Sequence, residues 1–346
     1  MNFSKTLIIW YLENKRDLPW RRTTNPYFIW LSEIILQQTR IEQGRPYYIK
    51  FIHRFPTVFE LAGASEQEVL KLWQGLGYYS RARNLHAAAK YVVEECNGEF
   101  PGSYKELLKL KGVGDYTASA IASICYKEPV AVVDGNVYRV LSRIFGIATP
   151  INSTEGVKEF KTLAQKLLDK EMPSEFNQGM MEFGALQCKP HLPDCSTCPF
   201  SKMCVAFNDN RIKELPVKLK KQKIKKRHFN YLVFISEAKE TLLQERRGKG
   251  IWEGLYEFPL LETKREVSHE NLLKESDEEI YAAVKKESLE LYNEAPIVHK
   301  LSHQHIYTKF WIVNCNELPE AGIPLETISR FPVPVLIDKF IEAYDF

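Results

Sequence analysis

Four of the seven cysteines, Cys188, Cys195, Cys198 and Cys204, fall within seventeen residues in the spacing C-x6-C-x2-C-x5-C. Four soft thiolates so close along a chain can hold zinc or a cubic iron-sulfur cluster, and spacing alone does not choose between them. Four unrelated small core cysteines are a weaker account of this density. The odd total, with Cys96, Cys125 and Cys315 scattered elsewhere, argues for a metal site in a reducing compartment rather than a disulfide framework.

A chain of 346 residues is long enough for two domains. Residues 1–205 read as helices joined by short turns. Between 29 and 42, Ile29, Trp30, Leu31, Ile34, Ile35, Leu36 and Ile41 leave hardly any polar face, which predicts one buried helix. A helix is expected over Ser103–Leu110, a turn over Lys111–Asp115 and a helix from Tyr116 to about Cys125. Past Asp134, the offsets of Val137, Val140, Leu141, Ile144 and Phe145 mark one helical face. The segment 217–227, VKLKKQKIKKR, has seven basic residues and no acidic one, and a basic linker is expected over 206–227. Beyond it, Tyr231–Ile235 and Ile306–Val313 read as strands, 242–247 and 251–260 as strands and loops, and 274–291 and 335–344 as helices. The fold class is therefore mainly α, followed by a smaller α+β domain over 228–346.

The charge balance, 47 basic against 44 acidic residues, is too slight to diagnose a nucleic-acid partner by itself. No apolar run is long enough to span a membrane, and the N-terminal apolar stretch soon meets Glu13, Lys15, Arg16 and Asp17, so neither a membrane anchor nor a signal peptide is expected.

Two carboxylates stand out. Glu33 is set among apolar side chains in WLSEIILQQT; burial there would raise its pKa and keep a proton available, whereas an exposed helical glutamate would be inert. Asp134 follows the apolar run PVAVV and precedes Gly-Asn-Val, where it can cap a helix, and capping does not exclude catalysis. The turn Lys111-Gly112-Val113-Gly114-Asp115 can offer backbone amides to a phosphate, although an ordinary helix hairpin uses the same residues. In 75–83, GLGYYSRAR, glycines, apolar side chains and arginines alternate, either as wedges into stacked bases or as a glycine-rich helix connection.

Taken in order, these motifs resemble adenine DNA glycosylases of the MutY type, within the endonuclease III and helix-hairpin-helix base-excision superfamily. The similarity covers about 16–204 strongly and 228 onward more weakly. It implies a helix-hairpin-helix glycosylase domain with one [4Fe-4S] cluster on Cys188, Cys195, Cys198 and Cys204, followed by a Nudix-like domain. Lys189, His191 and Lys202 in the cysteine loop would face phosphate or simply water.

The resemblance assigns Glu33 to protonation of adenine at N7 and later activation of water, and Asp134 to stabilising or transiently capturing the sugar cation. Tyr116 and Asn136 would give positioning and polar support. Related bifunctional enzymes carry a lysine in the hairpin for Schiff-base chemistry, whereas Tyr116 here has no amine, so base removal without efficient strand cleavage is expected. Arg16, Trp20 and Arg21 resemble part of an adenine pocket, with Trp20 also suited to anchoring the N-terminal segment. Gln38, Leu76, Tyr78 and Tyr79 are candidates near the lesion pair, and Gly112 and Gly114 for phosphate. Leu301-Ser302-His303 resembles the lesion-reading loop, where Ser302 and His303 would recognise 8-oxoguanine; Leu301 replaces the frequent aromatic. The acidic signature of active Nudix enzymes is absent after Gly250, so pyrophosphate hydrolysis is not expected. The implied substrate is duplex DNA with adenine opposite 8-oxoguanine or guanine, bound by a monomer associated with the nucleoid in the cytoplasm. Proteins that process abasic sites are candidate partners. A thymine-releasing mismatch glycosylase and a noncatalytic damage-binding protein are the alternatives.

Overall fold

The computed structural model describes residues 2–219, 224–269, 271–272, 284, 288–344 and 346. The chain forms two units, Met1–Gly63 with Asn84–Lys220, and Ala64–Arg83 with Lys221–Phe346, so the division does not simply follow chain order.

The helices are α1 (Phe3–Asn14), α2 (Pro26–Leu36), α3 (Ile41–Arg54), α4 (Val58–Gly63), α5 (Glu66–Trp73), α6 (Ser80–Cys96), α7 (Tyr104–Leu107), α8 (Asp115–Tyr126), α9 (Gly135–Phe145), α10 (Thr154–Leu167), α11 (Pro173–Leu186), α12 (Val205–Asn208) and α13 (Val335–Ala343). In the first unit, α11 packs against α1, α8 and α9. Leu7, Val137, Val140, Leu141, Phe160, Phe176, Met180 and Phe183 are buried in this core. Truncating one such phenylalanine to alanine would cost about 3–5 kcal/mol.

The helix expected across 29–42 is in fact two. Asn25 caps the start of α2 by accepting a hydrogen bond from the Tyr27 amide at 2.9 Å, with Pro26 at the first helical position. It stops at Leu36 because the chain turns through Gln38, whose φ of +55° no helix tolerates. The helix expected over 103–110 shrinks to Tyr104–Leu107, with Ser103 as its cap. The hairpin turn follows, and Gly112 (φ +79°) is required there twice over, since an added Cβ would lie 2.7 Å from Asn84 Cβ.

In the second unit the long strands β1 (Lys225–Ser236) and β8 (Gln304–Cys315) run parallel, from Lys225 opposite Gln304 to Ser236 opposite Cys315. Between them come β2 (Glu240–Thr241), β3 (Gln244–Glu245), β4 (Tyr256–Glu257), β5 (Leu260–Thr263), β6 (Ser288–Leu291) and β7 (Ile297–Lys300); β9 (Ile323–Pro324) follows β8. The main sheet has the order β5-β1-β8-β6, with β7 also on β8. Alternation sends Leu232, Phe234, Trp311 and Val313 to one buried cluster. Tyr231 stacks on Phe310, and Phe310 stacks at 4.0 Å on Phe340 of α13, which fixes the terminal helix.

Of the helix expected over 274–291, residues 274–283 and 285–287 lie outside the described residues. Ser288–Leu291 is a strand antiparallel to β8, because Leu289 and Leu291 alternate with polar neighbours at period two. Both ends of the expected linker carry structure. Leu215 and Val217 pack into the helical core and Lys225–Arg227 open β1, while Lys220–Lys223 lie outside the described residues. Among the described residues no helix is long and apolar enough to cross a membrane.

Candidate active site

One cleft of the helical unit is lined by Glu33 and Gln38 from α2 and its exit, by Gly112, Gly114, Asp115, Tyr116 and Thr117 from the hairpin, and by Asp134 and Tyr138 at the start of α9. Residues 33, 114–117 and 134, far apart in the chain, are thereby brought to one surface.

Glu33 projects from a helix whose other faces are buried. Removal from water pushes its pKa up to about 7, with the nearby Asp134 adding to the rise and a Tyr116 hydrogen bond and the Arg21 charge opposing it. Burial also raises Asp134, but its Oδ1 accepts the amides of Asn136 (2.9 Å) and Val137 (2.8 Å) and its Oδ2 accepts Asn136 Nδ2 (2.8 Å). These three donors favour the anion. Asp134 is therefore a helix cap with one face on the cleft. The Tyr116 phenol is pushed far up, first by burial and then by the two carboxylates, so it stays protonated; its oxygen also lies 3.3 Å from Met181 Sδ.

Asn136 does not line the cleft. Its Oδ1 accepts Arg139 Nη2 at 2.8 Å, and Arg139 also donates to the carbonyls of Gly184 (2.7 Å) and Cys188 (2.8 Å). The close approach of α11 here depends on Gly184, where an added Cβ would stand 2.6 Å from Asn136 Cβ.

Arg16, Trp20 and Arg21 are absent from the cleft lining. Both arginines turn to Glu182 of α11, which is 1% exposed: Arg16 through Nε (2.9 Å) and Nη2 (2.6 Å), Arg21 through Nη1 (2.7 Å) and Nη2 (2.8 Å). Burial works to raise the Glu182 carboxyl, but these hydrogen bonds hold it down at about 2. Trp20 is buried edge-on against Tyr48. The sequence reading missed Glu182. Its one signal was an acidic residue inside a largely apolar helix.

Cys188, Cys195, Cys198 and Cys204 share one pocket with Ile144, Phe183 and Phe207. Among the described residues no three His, Cys, Asp or Glu side chains are arranged to hold a metal ion. Burial, with the neighbouring thiols adding, pushes Cys198 up to about 11, and Arg143 Nη1 lies 3.6 Å from Cys188 Sγ. The four thiols lining this pocket are soft donors of the type that zinc and iron-sulfur centres use.

In the second unit, Tyr78, Tyr79, Arg83, Arg227, Trp252, Leu301, Ser302 and His303 line a cavity of about 380 Å³. Tyr78, at φ +48°, donates its hydroxyl to Ser302 Oγ at 3.2 Å. Leu76, expected as a wedge, is 7% exposed and packed inward.

A family model described as HhH-GPD superfamily base excision DNA repair protein matches residues 31–169, and a NUDIX domain model matches 230–343. An adenine DNA glycosylase of Buchnera aphidicola subsp. Baizongia pistaciae (strain Bp) is 34% identical over 317 residues, which is 90% of this chain and 86% of that protein. The chain belongs to the adenine DNA glycosylase family. A further member, from Homo sapiens, is 45% identical over 213 residues, 59% of this chain and 39% of the human protein. The solved structure of a thermostable thymine-DNA glycosylase is similar at 31% identity and a TM-score of 0.56, over 60% of this chain and 95% of that one. As a member of the adenine DNA glycosylase family, the chain combines a base-excision helical fold with a Nudix-like sheet domain.

Proposed function

We propose that this protein removes adenine from duplex DNA where it is mispaired with 8-oxoguanine or guanine, by hydrolysis of the N-glycosidic bond without strand cleavage. The observation that carries the reading is the pair of carboxyls on one cleft, with Glu33 held at about 7 by burial and Asp134 surrounded by donors. Adenine leaves poorly as an anion. With the nucleotide turned out of the helix, Glu33 gives its proton to N7 as the C1′–N9 bond breaks and the bonding pair departs with the base. Asp134 faces the developing sugar cation, and Asn136 orients that carboxylate. Water then adds at C1′ and its proton returns to Glu33. Tyr116 supports the carboxyl pair and has no amine for a Schiff base.

The hairpin glycines, with α8 starting at Asp115 and no side-chain cap from Gly114, suit a backbone phosphate. The pocket of Tyr78, Ser302 and His303 supplies hydrogen-bonding groups for the base opposite adenine, in a domain whose sequence lacks the acidic Nudix signature after Gly250. Cys188, Cys195, Cys198 and Cys204 would hold one [4Fe-4S] cluster, which ties the loop after α11 together when bound. The enzyme would act as a monomer on nucleoid DNA, leaving abasic sites for other repair proteins.

The test is single-turnover release of base from duplexes holding adenine opposite 8-oxoguanine, guanine or cytosine, beside a thymine·guanine duplex. Adenine release that is fastest opposite 8-oxoguanine and absent in Glu33→Gln is the expected result. Thymine release instead would support the reading suggested by the thymine-DNA glycosylase fold, and binding with no abasic product would identify a damage sensor.

A further inference from the structure

Residues 129–133, which deliver Asp134 to the cleft, belong to no helix and no sheet, yet Ala131 and Val132 are almost wholly buried. Buried backbone groups need partners. Here side chains provide them. Gln165 Nε2 donates to the Pro129 carbonyl at 2.8 Å and its Oε1 accepts the Ala131 amide at 2.9 Å. Asn177 Nδ2 donates to the Val130 carbonyl at 2.8 Å and its Oδ1 accepts the Val132 amide at 3.0 Å. Lys161 Nζ donates to the Ala131 carbonyl at 2.7 Å, and also to Asp115 Oδ2 (2.9 Å) and Ser119 Oγ (3.1 Å) of α8.

Each amide bridges the carbonyl of one residue and the N–H of the residue two further on, as a neighbouring parallel strand would. Lys161 and Gln165, one turn apart on α10, serve Pro129 and Ala131, while Asn177 of α11, itself 0% exposed, serves the alternate residues Val130 and Val132. The segment is thus held between two helices as a strand without a sheet. Lys161 further ties it to the first residue of α8, beside the hairpin turn.

We propose that Lys161, Gln165 and Asn177 are positioning residues for Asp134: they set the path of the preceding backbone and thereby the place of the Asp134 carboxylate on the cleft. The proposal rests on the reading of Glu33 and Asp134 as the reacting pair. A shift of about 1 Å in a reacting group can cost on the order of a hundredfold in rate. A clamp made of three side chains is a direct way to prevent one.

The test uses the full-length protein and the variants Gln165→Met, Lys161→Met with Gln165→Met, and Asn177→Leu. Gln165 is exposed, so the first substitution leaves the core intact. Single-turnover adenine release should fall about tenfold in Gln165→Met and further in the double variant. Affinity for a duplex carrying 2′-fluoro-2′-deoxyadenosine, which resists hydrolysis, should stay near wild type. So should the pH midpoint set by Glu33. Hydrogen exchange should accelerate at the Ala131 amide in Gln165→Met and at Val132 in Asn177→Leu, whatever the substrate. Wild-type release by the double variant, a rate loss no larger than the unfolded fraction, or an unchanged Ala131 exchange rate overturns the proposal. A wild-type protein that releases no adenine while showing the exchange differences would sink the reading of the reaction, and the clamp itself would stand.

Discussion

Arg21 and Glu182 form a two-pronged ion pair, Nη1 to Oε1 at 2.7 Å and Nη2 to Oε2 at 2.8 Å, on a carboxylate that Arg16 also grips. The pair joins the segment after α1 to α11, and the Arg21 charge reaches Glu33, where it opposes the rise in pKa. Glu182→Gln leaves two arginines without their anion at a buried site. Loss of about 3–5 kcal/mol of stability is expected, read by urea denaturation.

The same carboxylate sets an acid limit. Its folded pKa of about 2 lies below the ordinary value of 4.5, so its contribution is complete above pH 4.5 and disappears as pH falls through about 2. The difference corresponds to about 3 kcal/mol. Wild type should therefore lose stability across that window, and Glu182→Gln should lose less over the same range.

Glu33 behaves in the opposite sense. Between pH 4.5 and about 7 the unfolded chain has released this proton and the folded one has kept it, so stability falls as pH rises through that window. Glu33→Gln should melt higher than wild type at pH 7.5 while excising no adenine. In wild type, single-turnover excision should be level on the acid side and decline above about pH 7, where the acid is lost. A rate that climbs through pH 8 would exclude Glu33 as the proton donor.

Asp134→Asn separates capping from catalysis. The amide oxygen can still accept from the Asn136 and Val137 amides, so the melting temperature should change little. Excision should drop roughly 10²- to 10³-fold because the anion beside the sugar is gone.

Gly184→Ala tests the approach of α11 to Asn136. The new methyl would meet Asn136 Cβ at 2.6 Å and its backbone at 3.1 Å, so one helix must move. We expect a cost of about 1–3 kcal/mol and slower excision, measured by thermal melting and single-turnover assay.

The proposed cluster is checked by iron and sulfide per chain after anaerobic purification: Cys198→Ser should deplete both and lower the melting temperature, since the thiols sit against Ile144 and Phe183 of the core.

Local chemistry made much of this protein legible in its sequence: Asp134 at a helix start, glycines in a hairpin turn, cysteine spacing, and Glu33 in an apolar run are all written within a few residues. The break at Gln38 and the strand at Ser288–Leu291 went unread because short apolar runs fit helix and strand alike. Glu182, Asn177 and Arg139 acquire their meaning from partners on other elements, over separations of 166, 45 and 49 residues to Arg16, Val132 and Cys188. What residue type and short spacing encode is which groups are available and which turns and caps can form. Only the packing of α1, α8, α9, α10 and α11 decides which buried charge meets which counter-charge, because desolvation and hydrogen bonding depend on neighbours in space rather than along the chain.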